Sequence, residues 1–147
     1  MLKQDKRLIL RTKIKTFIPS TTAKDKIFRF MRKIYHLASC STCQRIIKEL
    51  GGGQGFELQN IKEELITEDQ LDFMKEAAGS YEALFSRRAM KYKSMGLKDK
   101  NLKEKDYKNL ILEEYTLLKR PVIVIDDEVF VGNAKSVVEA AKAKLLG

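Results

Sequence analysis

The stretch Ile34-Tyr35-His36-Leu37-Ala38-Ser39-Cys40-Ser41-Thr42-Cys43-Gln44-Arg45-Ile46-Ile47-Lys48-Glu49-Leu50-Gly51 decides the reading of this chain. Ile34 to Leu37 is a short, mostly apolar run of the length of a buried strand. Ser39 to Thr42 interrupts it with small polar residues. Ile46, Ile47 and Leu50 then share one helical stripe, which predicts a helix over 42–50. Gly51-Gly52-Gly53 ends that helix, because glycine accepts the left-handed conformation past a helix C-terminus. The two cysteines of the chain, Cys40 and Cys43, therefore lie where a strand hands over to a helix.

That placement gives the pair a chemistry. The first N–H groups of a helix have no partner within it, and the helix dipole puts partial positive charge there. A thiolate at Cys40 is stabilised by both effects, and the thiolate is the nucleophilic form. Cys43, one turn further on, can attack an adduct or mixed disulfide formed at Cys40 and so resolve it. Two other uses of the pair stay open. They can be buried thiols that pack as small hydrophobes. They can also be half of a zinc site, with His36, the single histidine, and a carboxylate completing four ligands. A secreted disulfide framework needs more cysteines at wider spacing.

Outward from this stretch, Phe56, Leu58 and Ile61 alternate and predict a second strand. Thr67 and Gln70 have the spacing of a capping box for a helix through Leu71, Met74 and Ala78. Residues 81–92 read as a further helix, broken by Gly96, and residues 103–118 as mostly helical. Val122-Ile123-Val124-Ile125 is β-branched throughout, as in a strand with both faces covered. Asp126-Asp127-Glu128 turns it into Val129-Phe130-Val131, an antiparallel hairpin. Asn133 is placed to cap a last helix through Val137, Val138, Ala141 and Leu145. The order predicts an α/β fold: a four-stranded mixed sheet with flanking helices on both faces and a helical insertion.

Length and charge bound the rest. A chain of 147 residues suggests one domain with a full core. The formal net charge is +9, but residues 1–30 hold nine Lys/Arg against Asp5 and Asp25. The remaining body is close to neutral, so a direct nucleic-acid partner is not expected. Residues 1–30 form a basic extension without the features of a secretory signal. It reads as a disordered or non-native tail, or as a targeting or anion-binding arm. No apolar run approaches the roughly 20 residues of a membrane span. The expected location is cytoplasmic.

Three more positions bear on a site. His36 either supports the thiolate or is an ordinary strand histidine. Pro121 opens the apolar strand, where a proline costs no ladder hydrogen bond, and its bond to Arg120 is a candidate for cis. Arg87 and Arg88 are either anion ligands or a solvated face.

Ile34-Tyr35-His36 followed by Cys40, Lys91-Tyr92-Lys93-Ser94-Met95-Gly96-Leu97 and Leu117-Leu118-Lys119-Arg120-Pro121-Val122-Ile123-Val124 together resemble the ArsC-like arsenate reductase family. The resemblance runs from about Met31 to Leu146 and implies a thioredoxin-like fold. It also implies an arsenate reductase or related thiol oxidoreductase, with Cys40 as the nucleophile. The adduct would be reduced by glutathione and glutaredoxin or by thioredoxin, with no bound cofactor and no metal. Arg120 matches an oxyanion-holding arginine of the family. The other reductase arginine falls on Ser86, while Arg88 matches the arginine of the related Spx-type regulators. A third is replaced around Gly132-Asn133, and the Asn-Pro after the histidine is Leu37-Ala38 here. Cys43 resembles the CxxC switch of those regulators, which bind RNA polymerase. They usually carry a further polar segment after the last helix, whereas this chain ends at Gly147. A redox-sensing regulator is thus the alternative to an enzyme with Cys40, Cys43, Arg88, Arg120, Pro121 and His36 at its site.

Overall fold

The β-branched run forms the centre of the sheet. In the computed structural model, which describes residues 31–147, all four residues of strand β3 (Val122–Ile125) are buried. β3 pairs antiparallel with β1 (Arg32–His36) on one side and with β4 (Glu128–Val131) on the other. β1 pairs parallel with β2 (Glu57–Asn60), so the spatial order is β2-β1-β3-β4. This is the mixed four-stranded sheet expected from the sequence.

Alternation along the strands divides the core in two. Ile34, Ile123 and Ile125 face α1 (Ser41–Glu49) and α6 (Lys135–Leu146), meeting Ile46, Leu50, Val138 and Ala141. Tyr35, Val122 and Val124 face the opposite way, onto Leu71 and Met74 of α2 (Glu68–Ala78) and Ile111 of α5 (Glu104–Glu113). Both capping interactions of the Thr67–Gln70 box are made at the start of α2. Gly51 follows α1 at φ 87, the conformation the triple glycine predicts.

Five local expectations need correction. Residues 81–92 are not one helix. α3 (Tyr81–Leu84) stops at Phe85, whose backbone bridges to Leu118, and α4 (Met90–Ser94) starts after a turn. Pairing with a distant segment, invisible to local periodicity, overrides helix propensity there. Helix also stops short of Leu118: α5 ends at Glu113, and Tyr115–Leu117 forms a 3-10 turn. In β2 the alternation is displaced, with Leu58 44% exposed and Gln59 buried. Gln59 is tolerated inside because its amide exchanges hydrogen bonds with that of Gln70 at 3.1 and 3.3 Å. Finally, α6 begins after Ala134 with no side-chain cap, so Asn133 does not serve as one. The hairpin turn is two residues, Asp126 and Asp127, and Glu128 already belongs to β4. The reading of residues 1–30 lies outside the described residues.

Candidate active site

Cys40 is the N-cap residue of α1. The preceding loop is braced from both sides. Cys40 N–H donates to Leu37 C=O at 2.9 Å, the Gln44 side chain donates back to Ala38 C=O, and Ala38 N–H donates to Asn60 Oδ1 of β2 at 3.3 Å. Gln44 and Asn60 are therefore part of the site's scaffold, although their local sequence carries no signal of it.

The two thiols sit in opposite environments. Cys40 is half-buried, and Cys43 is fully sealed in the protein. Burial pushes the Cys40 pKa up. The Cys43 N–H, the Cys43 thiol, the Thr42 N–H and the charge of Arg120 outweigh it, and the net direction is down. The Cys40 side chain makes no well-aligned cap hydrogen bond to the N–H groups of α1. The lowering follows nonetheless, because attraction between a thiolate and converging N–H dipoles tolerates imperfect angles. Burial drives the Cys43 thiol the other way, to about 11. The Cys40 thiol thus ionises more readily than an ordinary cysteine, and its neighbour less readily.

Cys40 opens onto a cleft of about 490 Å³ that it shares with Thr42, Ser86, Arg87, Arg88 and Arg120. Its wall depends on the break in the predicted helix. Ser86 N–H donates to Leu117 C=O at 2.7 Å, and Lys119 N–H donates to Leu84 C=O at 2.7 Å. These bonds fix the turn carrying Arg87 and Arg88 against the segment carrying Arg120. The Arg120 guanidinium is held by Nη1, which donates to Thr116 C=O at 2.9 Å and Leu118 C=O at 3.2 Å. Its buried Nε has no hydrogen-bond partner among the described residues. Arg120 thus combines a pinned head with an unused donor.

The two adjacent arginines differ. Arg87 is committed to Glu82 at 2.8 Å and Tyr107 Oη at 3.1 Å. Arg88 is exposed and makes no ion pair or side-chain hydrogen bond among the described residues. The Arg120-Pro121 bond is cis, and Pro121 C=O accepts from Gly132 N–H at 2.9 Å. Neither Pro121 nor His36 lines the cleft. His36 sits at the end of β1 with a buried Nδ1 that has no hydrogen-bond partner among the described residues, and burial lowers its pKa against the pull of Glu63. No group of three His, Cys, Asp or Glu among the described residues is placed to hold a metal ion. No described helix is long and apolar enough to cross a membrane. A larger cleft of about 620 Å³ beside α2, α6 and β4 is lined mainly by Ala and Val and holds no nucleophile, so the chemistry points to Cys40.

The ArsC family model matches residues 35–141, from the strand before the cysteines to the last helix. This chain belongs to the ArsC family. Solved structures show the same fold. An arsenate reductase from Vibrio cholerae is 22% identical, with a TM-score of 0.61, covering 74% of this chain and 98% of its own. A Bacteroides fragilis protein ascribed to the family is 23% identical, with a TM-score of 0.66 and coverages of 76% and 98%. An ArsC-related protein from Brucella melitensis, solved in solution, is 21% identical, with a TM-score of 0.57 and coverages of 83% and 96%. No curated protein matches the chain. At these identities the likeness establishes the thioredoxin-like fold of the ArsC proteins. Membership of the family comes from the match to the family model.

Proposed function

We propose that this ArsC-family protein is a thiol-dependent oxidoreductase that reduces arsenate or a closely related oxyanion, with Cys40 as the nucleophile. The observation that carries the reading is the Cys40 sulfur at the N-terminus of α1, facing a cleft it shares with Arg120 and Arg88. The Cys40 thiolate attacks arsenic, and an oxygen leaves as water after protonation. Arg120 and Arg88 hold the remaining oxygens by charge-assisted hydrogen bonds. Cys43 then passes its proton to an oxygen of the adduct and attacks the Cys40 sulfur. The electron pair of the breaking S–As bond stays on arsenic, so arsenic(V) becomes arsenic(III) and the two thiols become a disulfide. Cys43 is adjacent and protonated until its partner is loaded, which suits a resolving thiol. His36, at the end of β1, and Pro121, next to Arg120, play a supporting part outside the cleft. An external thiol, thioredoxin or glutathione with glutaredoxin, restores the pair.

The test is arsenate turnover by the full chain, supplied in turn with thioredoxin plus its reductase and with glutathione plus glutaredoxin. Turnover abolished by Cys40→Ser supports the reading. Absence of turnover with both systems overturns it, and makes capture of RNA polymerase by the oxidised and reduced protein the next experiment.

A further inference from the structure

The body of the chain is nearly neutral, but its positive charge is concentrated in one place. Residues 86–100, Ser86-Arg87-Arg88-Ala89-Met90-Lys91-Tyr92-Lys93-Ser94-Met95-Gly96-Leu97-Lys98-Asp99-Lys100, carry six Lys/Arg against Asp99 alone. All six cations are exposed. Arg87 pairs with Glu82, and Lys91 stands 4.0 Å from Glu114. Arg88, Lys93, Lys98 and Lys100 have no ion pair among the described residues. Met90 lies among them and is 88% exposed, a large apolar side chain left in water. The segment starts at the wall of the Cys40 cleft, since Arg88 and Ala89 line it and Met90 is the next residue. It is also anchored: Tyr92 packs edge-on against Phe85 with ring centroids 5.9 Å apart, and Leu97 is buried. An anchored, cationic surface with an exposed methionine at the mouth of a thiol cleft carries the charge that steers and registers an acidic partner.

The thiols indicate the class of partner. Once Cys40 and Cys43 form a disulfide, Cys43 remains sealed and only the Cys40 sulfur can be reached. Opening that bond needs one external thiolate to attack Cys40 and a second thiol to release the resulting mixed disulfide. A small dithiol protein supplies both. We propose that the α4 surface around Met90, Lys91 and Lys93 docks an acidic dithiol protein of the thioredoxin type and delivers its thiolate to Cys40. The inference rests on the reading above that Cys40 and Cys43 cycle through a disulfide. In the exchange the partner thiolate bonds to the Cys40 sulfur and the Cys40–Cys43 bond breaks. Cys43 leaves as a thiolate and takes a proton. The partner's second thiol then attacks the partner sulfur and frees the Cys40 thiolate. The partner ends as a disulfide, two electrons poorer.

The experiment uses the full chain, oxidised with diamide to the Cys40–Cys43 disulfide and checked by mass. Its reduction is followed with a purified thioredoxin of net negative charge, kept reduced by its reductase, and separately with dithiothreitol. The wild type is compared with Lys91→Glu/Lys93→Glu and with Met90→Asp, each confirmed as folded by circular dichroism. The expected result is a loss of about tenfold or more in kcat/KM with thioredoxin for the charge reversal, and a smaller loss for Met90→Asp. Rates with dithiothreitol stay within about twofold. Raising salt from about 50 to 300 mM slows the thioredoxin reaction of the wild type several-fold and leaves that of the charge-reversed variant nearly unchanged. Equal thioredoxin rates in wild type and variants overturn the docking surface. So does a wild-type disulfide that dithiothreitol opens and thioredoxin does not, and in both cases the thiol chemistry stands. Failure to form the disulfide at all removes the underlying reading, and the inference with it.

Discussion

The backbone N–H of Cys43 helps to stabilise the Cys40 sulfur as a thiolate, while the Cys43 thiol itself is shut away from solvent. The residue that activates its neighbour is therefore held inactive. Both effects come from the same turn of α1, which presents its free N–H groups to the N-cap position and turns its next side chain inward.

Alkylation should separate the two thiols. Burial acts to raise the Cys40 pKa, but the N–H groups, the Cys43 thiol and Arg120 lower it below that of an ordinary cysteine. The thiolate fraction, and hence the iodoacetamide rate, rises with pH through this lowered value and then levels. Cys43, with its pKa near 11 and no exposed sulfur, stays unmodified at neutral pH. Replacing Cys43 by Ala removes one donor to Cys40 and shifts its profile upward. Peptide mass mapping after timed alkylation across pH checks all three statements.

Arg120 is expected to matter beyond its charge. Its head is held at the cleft wall by the carbonyls of Thr116 and Leu118, and its Nε is left without a partner among the described residues. Hydrogen bonds to charged groups contribute about 1.5–3 kcal/mol, so Arg120→Ala should lower kcat/KM for arsenate by roughly ten- to a hundredfold. Arg120→Lys keeps the charge without the planar fork and should recover only part of that loss. The same Arg120→Ala change should move the Cys40 alkylation profile to higher pH.

Arg87 and Arg88 should respond differently although they are adjacent. Arg87 is committed to Glu82 and Tyr107 at an exposed site, and exposed pairs are worth about 0–1 kcal/mol. Arg87→Ala should therefore change stability and turnover little. Arg88→Ala should raise the KM for the oxyanion, read in steady-state kinetics. The reverse pattern would assign the anion site to Arg87.

Phe85 links the fold to the site. It is 1% exposed, stands edge-on to Tyr92 and Tyr107, and occupies the bridge that ends α3. Phe85→Ala should cost about 3–5 kcal/mol in denaturant unfolding and should also lower turnover, because the turn carrying Arg88 loses its anchor. Thr67→Ala removes only the α2 cap, and should cost about 1 kcal/mol with turnover intact.

Much of this was readable in the sequence because it is local. The VIVI run, the cysteines before an amphipathic stripe, the triple glycine and the Thr67–Gln70 box each announce a structure within a few residues. What was not readable depends on distant partners. The break at Phe85 exists because its backbone meets Leu118, 33 positions away in numbering. Gln59 is inside the protein because Gln70 satisfies its amide, and the Cys40 loop is braced by Asn60 of a neighbouring strand. The division of labour between Arg87 and Arg88 likewise depends on Glu82 and Tyr107. Local periodicity carries no record of such pairings.

The most direct measurement is a single turnover without external reductant. Reduced full-length protein is mixed with arsenate, quenched with acid, and analysed for arsenite and for free thiols by mass. The expected result is one arsenite and one Cys40–Cys43 disulfide per chain, none of either with Cys40→Ser, and no release of arsenite with Cys43→Ser. Both thiols remaining free after arsenate, in a protein whose Cys40 still alkylates readily, would contradict it.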